Sequence, residues 1–183
     1  MYTIVQSPDP TLNQVCEPCE LDDKSLAKLS KLAKEMKKLM YSTYGVGIAA
    51  PQVGVSKRLI VIDVDYADED GEPNPIVLVN PEILELKGEP EKADEGCLSC
   101  PGIQVPVSRQ PWASVRYHDL NGEQWIIEGD GLLGRCLQHE IDHLNGKTLF
   151  EACDPIDRIE ALRNYEKALA AGAKPGDVSI EGR

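Results

Sequence analysis

Gln138-His139-Glu140-Ile141-Asp142-His143 constrains this chain more than any other stretch. Two histidines four residues apart share a face when the segment is helical, one turn from each other. Both imidazoles can then hold one metal ion, with Glu140 beside it as a candidate general base. The remaining histidine of the chain is His118. A hydrolytic site on this helix calls for a third ligand, and the origin of that ligand decides the chemistry.

The whole chain sets the frame for that helix. Its 183 residues suit one domain with a full hydrophobic core. A net charge of −12 and a pI near 4.7 argue against phosphate-backbone binding, so no direct nucleic-acid binding is expected. The start Met1-Tyr2-Thr3-Ile4 has neither a basic segment nor an apolar one of signal-peptide type. No apolar run approaches the length of a membrane span. A cytoplasmic setting without membrane attachment is expected. In that setting Cys16, Cys19, Cys97, Cys100, Cys136 and Cys153 read as free thiols or metal ligands, not disulfides.

Periodicity predicts the elements around the motif. Apolar groups at Leu26, Leu29, Leu32, Met36 and Leu39/Met40 follow a helical period over 24–42. A loop over 43–54 leads to a β-branched strand at 59–64, and 65–75 is acidic and turn-rich. Short strands are predicted at 76–80 and 83–86, split by Asn80-Pro81, and again at 103–107, 113–117 and 124–128. Asn121-Gly122 marks a two-residue hairpin turn between the last two. The metal-motif helix runs over 131–144 and ends at Asn145-Gly146. Asp154-Pro155 opens a final helix to about 171. The fold class is α+β, with mixed or antiparallel short strands packed around a C-terminal metal-motif helix, an N-terminal helix and a final helix.

Three sources of a third ligand compete. Metzincin proteases place a histidine where this chain has Leu149, which removes that family despite Gly146. Thermolysin-like enzymes draw a glutamate from a later helix; Glu160 and Glu166 stand near that distance, without the surrounding pattern. Cys97, in Glu95-Gly96-Cys97-Leu98-Ser99-Cys100-Pro101, offers a thiolate on a loop whose glycine permits a tight, unusual turn. Three protein ligands leave a fourth position for water, as hydrolysis requires. A four-cysteine structural zinc site from Cys16, Cys19, Cys97 and Cys100 is the competing non-catalytic reading, and it leaves the helix histidines and Glu140 without a role.

Gly45-Val46-Gly47-Ile48-Ala49-Ala50-Pro51-Gln52 adds a third element: small residues that admit a close substrate, and an amide donor for an oxyanion. Taken in order, G-x-G-x-A-A-x-Q, E-G-C-L-S and Q-H-E-x-D-H resemble the three motifs of the bacterial-type peptide deformylases. That family removes the N-formyl group from the initiator methionine of newly made polypeptides and releases formate. The resemblance implies a catalytic domain over 1–171 and a flexible tail over 172–183; Ile180-Glu181-Gly182-Arg183 matches a protease recognition sequence used in cloning and is set aside.

Residue by residue, the resemblance implies Cys97, His139 and His143 as ligands of one divalent metal. Fe²⁺ is the expected ion, with Zn²⁺, Ni²⁺ or Co²⁺ as substitutes; the donor set suits more than one of them. It further implies metal-bound water as nucleophile, Glu140 as general base and then acid, and Gln52 with the Leu98 N–H as oxyanion donors. Ile48, Leu132 and Cys136 line a methionine pocket beside His139, and Gly47 offers backbone bonds to an extended peptide. Glu95 and Arg109 are expected to orient the cysteine turn or an imidazole, and Asp142 to point away from Glu140. The partners are N-formylmethionyl nascent peptides and, transiently, the ribosome, toward which the C-terminal segment offers Arg158, Arg163, Lys167 and Lys174 amid acidic neighbours. Cys100 departs from the family pattern, where an aliphatic residue is usual, and raises the prospect of a Cys97–Cys100 disulfide under oxidation.

Overall fold

The computed structural model describes residues 2–67 and 72–178. The acidic loop expected over 65–75 falls partly outside these, and the 180–183 segment wholly. Helix α1 (Asp23–Ser42) starts where Asp22 accepts hydrogen bonds from the Lys24 and Ser25 amides, a cap worth about 1 kcal/mol. Its apolar stripe is buried through Leu26, Leu29, Leu32, Met36 and Met40, while the lysines stay outside.

Five strands form one antiparallel sheet in the order β1 (Gly47–Ala49), β2 (Leu59–Ile62), β3 (Ile76–Lys87), β6 (Trp112–His118), β7 (Gln124–Gly129). Every residue of β2 is buried, because both faces of the sheet are covered. Leu59 and Val61 pack with α1, whereas Ile60 and Ile62 pack with helix α2 (Gly131–Leu144). The continuous apolar run in β2 is therefore the mark of a strand sandwiched between two helices. A second, two-stranded sheet joins β4 (Glu91–Glu95) to β5 (Val105–Arg109). Helices α3 (Leu149–Ala152) and α4 (Pro155–Ala170) close a third apolar cluster over β5, built on Val105, Val107, Phe150 and Tyr165.

The α+β class and the three main helices match the sequence reading, and four local features differ from it. The strands expected at 76–80 and 83–86 are one strand, β3, with register shifts instead of a break. Asn80 takes a left-handed φ of 51°, and its side-chain amide bonds both the N–H and the C=O of Cys19. Those bonds replace ladder partners that a bulge would lose, so the strand continues through Pro81. The β6–β7 hairpin is real but its loop is longer than two residues, because Asp119 gathers the amides of Asn121 and Glu123. Strand β4, Glu-Lys-Ala-Asp-Glu, carries no apolar alternation and was not expected; its pairing with β5 forms it. Residues 172–178, expected as the start of a flexible tail, lie against the body, with Ala173 buried in the third cluster.

Candidate metal centre and active site

Helix α2 presents His139 and His143 on one face, with ring centroids 5.0 Å apart. Strand β4 ends at Glu95, and the next turn carries Cys97 to the same face, 3.3 Å from Nε2 of His143. The thiol and one nitrogen of each imidazole all lie within 4.8 Å of one another. Ligands about 2.0–2.3 Å from one tetrahedral ion sit roughly 3.5 Å apart, so the cluster fits a single metal. Its donor set, one sulfur and two imidazoles, suits iron(II) or zinc. A hydrogen bond from Cys100 holds the Cys97 thiol well below its usual range, against the opposing effect of burial. The shift is in the direction that favours the thiolate, the form that binds metal.

Glu95 is the hub behind the ligands. Its carboxylate accepts from Arg109 Nε at 2.6 Å and Nη2 at 2.9 Å, and from Arg135 Nη1 at 2.9 Å. It also lies 2.9 Å from Nδ1 of His139, leaving that ring's other nitrogen for the metal. Burial alone would raise the Glu95 pKa, but hydrogen bonds from His139 and Arg109 hold it at about 2. His139 moves the other way: burial opposes its charge, yet bonds with Cys97 and Glu95 push it well above its ordinary value. Arg109 in turn donates to Asp142 at 2.8 Å, on the next helical position before His143. The orienting roles expected of Glu95 and Arg109 have these contacts as their basis. Arg135, four residues before His139 on the same helix face, was missed, although that spacing was visible.

Glu140 is only 4% exposed, and one of its carboxylate oxygens has no hydrogen-bond partner among the described residues. Burial pushes its pKa up, toward the range where a carboxyl can both take and return a proton. Gly47 makes room for it: a Cβ there would stand 2.4 Å from Glu140 Oε1 and 2.9 Å from Cys136 Sγ. Gln52 is fixed from both ends. Its Oε1 accepts from the Ala49 amide at 2.8 Å, and its Nε2 donates to Ser99 Oγ at 3.2 Å and lies 3.5 Å from Cys97 Sγ. Ser99, quoted in the motif without a role, is therefore what aims the Gln52 amide at the site.

One cavity collects Gly47, Gln52, Cys97, Leu98, Leu132, Cys136, His139 and Glu140 along its walls. Ile48 is not there. As the middle residue of β1 it turns to the opposite face and is fully buried with the α1 side chains. Alternation along a strand explains this: Gly47 and Ile48 cannot both face the cavity. Gly96 also departs from expectation; it is outside the left-handed region, and a Cβ would meet nothing within 4 Å. The turn at Cys97 does not depend on it. The rival ligand sets separate in space. Glu160 and Glu166 are exposed on α4, and Cys16 and Cys19 are buried in two different apolar clusters. Tyr44, Gly176 and Val178 line the cavity too, and nothing in the sequence reading pointed to them.

Comparison with known proteins gives a consistent picture. The polypeptide deformylase family profile matches residues 1–159. The peptide deformylase of Hahella chejuensis is 42% identical over 164 residues, spanning 90% of this chain and 94% of that protein. That of Rhizobium meliloti is 41% identical over 168 residues, with 91% and 94% spanned. The crystal structure of a peptide deformylase from Legionella pneumophila superposes with a TM-score of 0.82 at 39% identity, covering 94% of this chain and 97% of that one. A Synechococcus elongatus peptide deformylase crystallised with actinonin gives 0.81 at 39% identity, covering 90% and 88%.

Proposed function

Because this chain belongs to the peptide deformylase family, we propose that its cavity removes the N-formyl group from newly made polypeptides by metal-dependent hydrolysis. The observation that carries the reading is the convergence of Cys97, His139 and His143 with Glu140 and Gln52 in one place. Cys97, His139 and His143 hold the ion; we assign Fe²⁺, on the family resemblance and a donor set that accepts it. When bound, such an ion acidifies water and polarises a carbonyl.

The rest is work for side chains. Strand β1 is the edge of the five-stranded sheet, and its Gly47 backbone lines the cavity, so an extended substrate lies along it by strand addition. The methionine side chain enters between Leu132 and Cys136. Glu140 takes the proton of the attacking water and returns it to the amine as the C–N bond breaks, giving formate and a free N-terminus. The Gln52 amide and the Leu98 N–H hold the oxyanion at the formyl carbon. We take 1–171, together with the cavity-lining stretch 172–178, as the catalytic unit and the cytoplasm as its compartment, the latter supported by six free cysteines. Among the described residues no helix is long and apolar enough to cross a membrane. An anaerobic assay of formate release from formyl-Met-Ala-Ser with Fe²⁺-loaded protein tests the reading. Cleavage of internal peptide bonds, or no formate, would overturn it.

A further inference from the structure

Tyr165 belongs to none of the three motifs and does not line the cavity. It stands in the second half of α4, 4% exposed, with its ring packed on Phe150 at a centroid distance of 5.4 Å. Its hydroxyl donates to Ser7 O at 2.9 Å and approaches Ser99 O at 3.4 Å, a longer and weaker contact. Burial pushes its ionisation up, so the hydroxyl keeps its proton and stays a donor. Among the described residues no other donor reaches Ser7 O.

The two carbonyls belong to segments that already meet. Ser7 N donates to Ser99 O at 2.9 Å, and Val5 N donates to Gln52 O at 2.8 Å. The N-terminal segment therefore ties the backbones of Gln52 and Ser99 together, and Tyr165 fastens the end of that tie. The side chains of the same two residues join as well, Gln52 Nε2 donating to Ser99 Oγ at 3.2 Å. Both residues are buried, so water is no substitute partner for either. An amide nitrogen carries two N–H groups. Ser99 occupies one, which leaves the other for the cavity that Gln52 lines.

We propose that the Tyr165 hydroxyl is a positioning group for the oxyanion donor: by fastening the N-terminal segment to the Ser99 turn, it keeps the Gln52 amide aimed at the formyl oxygen. The inference rests on the deformylase reading of the cavity. The final helix then takes part in the reaction from behind the site, through hydrogen bonds alone. Without the hydroxyl, Ser7 O loses its donor and the end of the tie is released. The Ser99 turn and the Gln52 amide then gain freedom to drift. Oxyanion stabilisation is sharply sensitive to where a donor stands, whereas binding of the extended peptide along Gly47 does not use Gln52. The loss therefore falls on kcat and spares KM.

Fe²⁺-loaded wild type, Tyr165→Phe, Gln52→Ala and the double variant are compared on formyl-Met-Ala-Ser, with metal content and Tm measured alongside. Tyr165→Phe keeps the ring and its packing. It should retain the metal and KM and lose kcat about fivefold, a fraction of the roughly 10²–10³ that full loss of the donor costs. In the Gln52→Ala background the same substitution should cost nothing further in kcat, although it still lowers Tm. Ala168→Gly, at a buried position of α4, weakens the helix without touching the hydroxyl, so Tm should fall with kcat unchanged. An unchanged kcat in Tyr165→Phe, a loss carried by KM, a loss that persists undiminished without Gln52, or an equal loss in Ala168→Gly overturns the positioning role. Each of these leaves the deformylase reading standing. No formate from wild type overturns both.

Discussion

Glu95 Oε2 stands 2.9 Å from His139 Nδ1, and the same carboxylate is gripped by Arg109 and Arg135. A strand and a helix whose contacting residues lie 44 positions apart in the sequence are locked together through one buried charge. Glu95→Gln keeps the shape but loses the charge. Metal affinity should fall about 10–100-fold, read as faster metal loss to a chelator. Unchanged metal retention would rule out this orienting role.

The same residue sets an acid limb. Its folded pKa, about 2, lies below the unfolded carboxylate value near 4.5. A depressed folded value contributes stability that is present above pH 4.5 and is lost as pH falls from there toward 2. The full contribution is on the order of 3 kcal/mol. Acid unfolding of Glu95→Gln should therefore be less steep than wild type across this window; identical slopes would contradict the assignment.

Glu140 and Gln52 separate chemistry from metal binding. Glu140→Ala should retain one metal per chain while formate release drops by about 10²–10⁴. Gln52→Ala should lose about 10²–10³ in kcat with metal also retained. Turnover near wild type in either variant would remove that residue from the mechanism.

Gly47→Ala places a methyl group where Glu140 Oε1 and Cys136 Sγ already stand. The outcome expected is folded protein with intact metal but formate release reduced at least tenfold, because the carboxylate must shift. Circular dichroism and metal analysis alongside the assay distinguish this from unfolding.

Cys100 is fully buried, and its amide donates to the Cys97 carbonyl at 2.9 Å, closing a turn that sets its thiol against the ligand sulfur. Hydrogen peroxide, taking two electrons from the two thiols and leaving as water, should join them and expel the metal. Wild type should lose metal and two titratable thiols together, while Cys100→Val keeps its metal longer. Equal loss from both proteins would show that Cys100 has no part in it.

The metal chemistry of this protein was legible in the sequence because it depends on local periodicity. His139, Glu140 and His143 share a face by helical geometry alone, and the apolar stripes of α1 and α2 announce themselves in the same way. Motif order then named the loop cysteine and the glutamine. What periodicity cannot carry is which residues meet across the chain. Ile48 belongs to a motif yet faces the core, because strand alternation assigns sides only once the sheet is placed. Strand β4 has no pattern of its own and exists through its pairing with β5, and that pairing is what delivers Glu95 to His139. The wall made by Gly176 and Val178 has no signal at all: the end of the chain reaches the cavity through contacts with Thr43 and Gly102. Sequence determined the donor atoms, and only tertiary packing decided what orients them and what surrounds the substrate, since those contacts join segments whose local preferences are silent about each other.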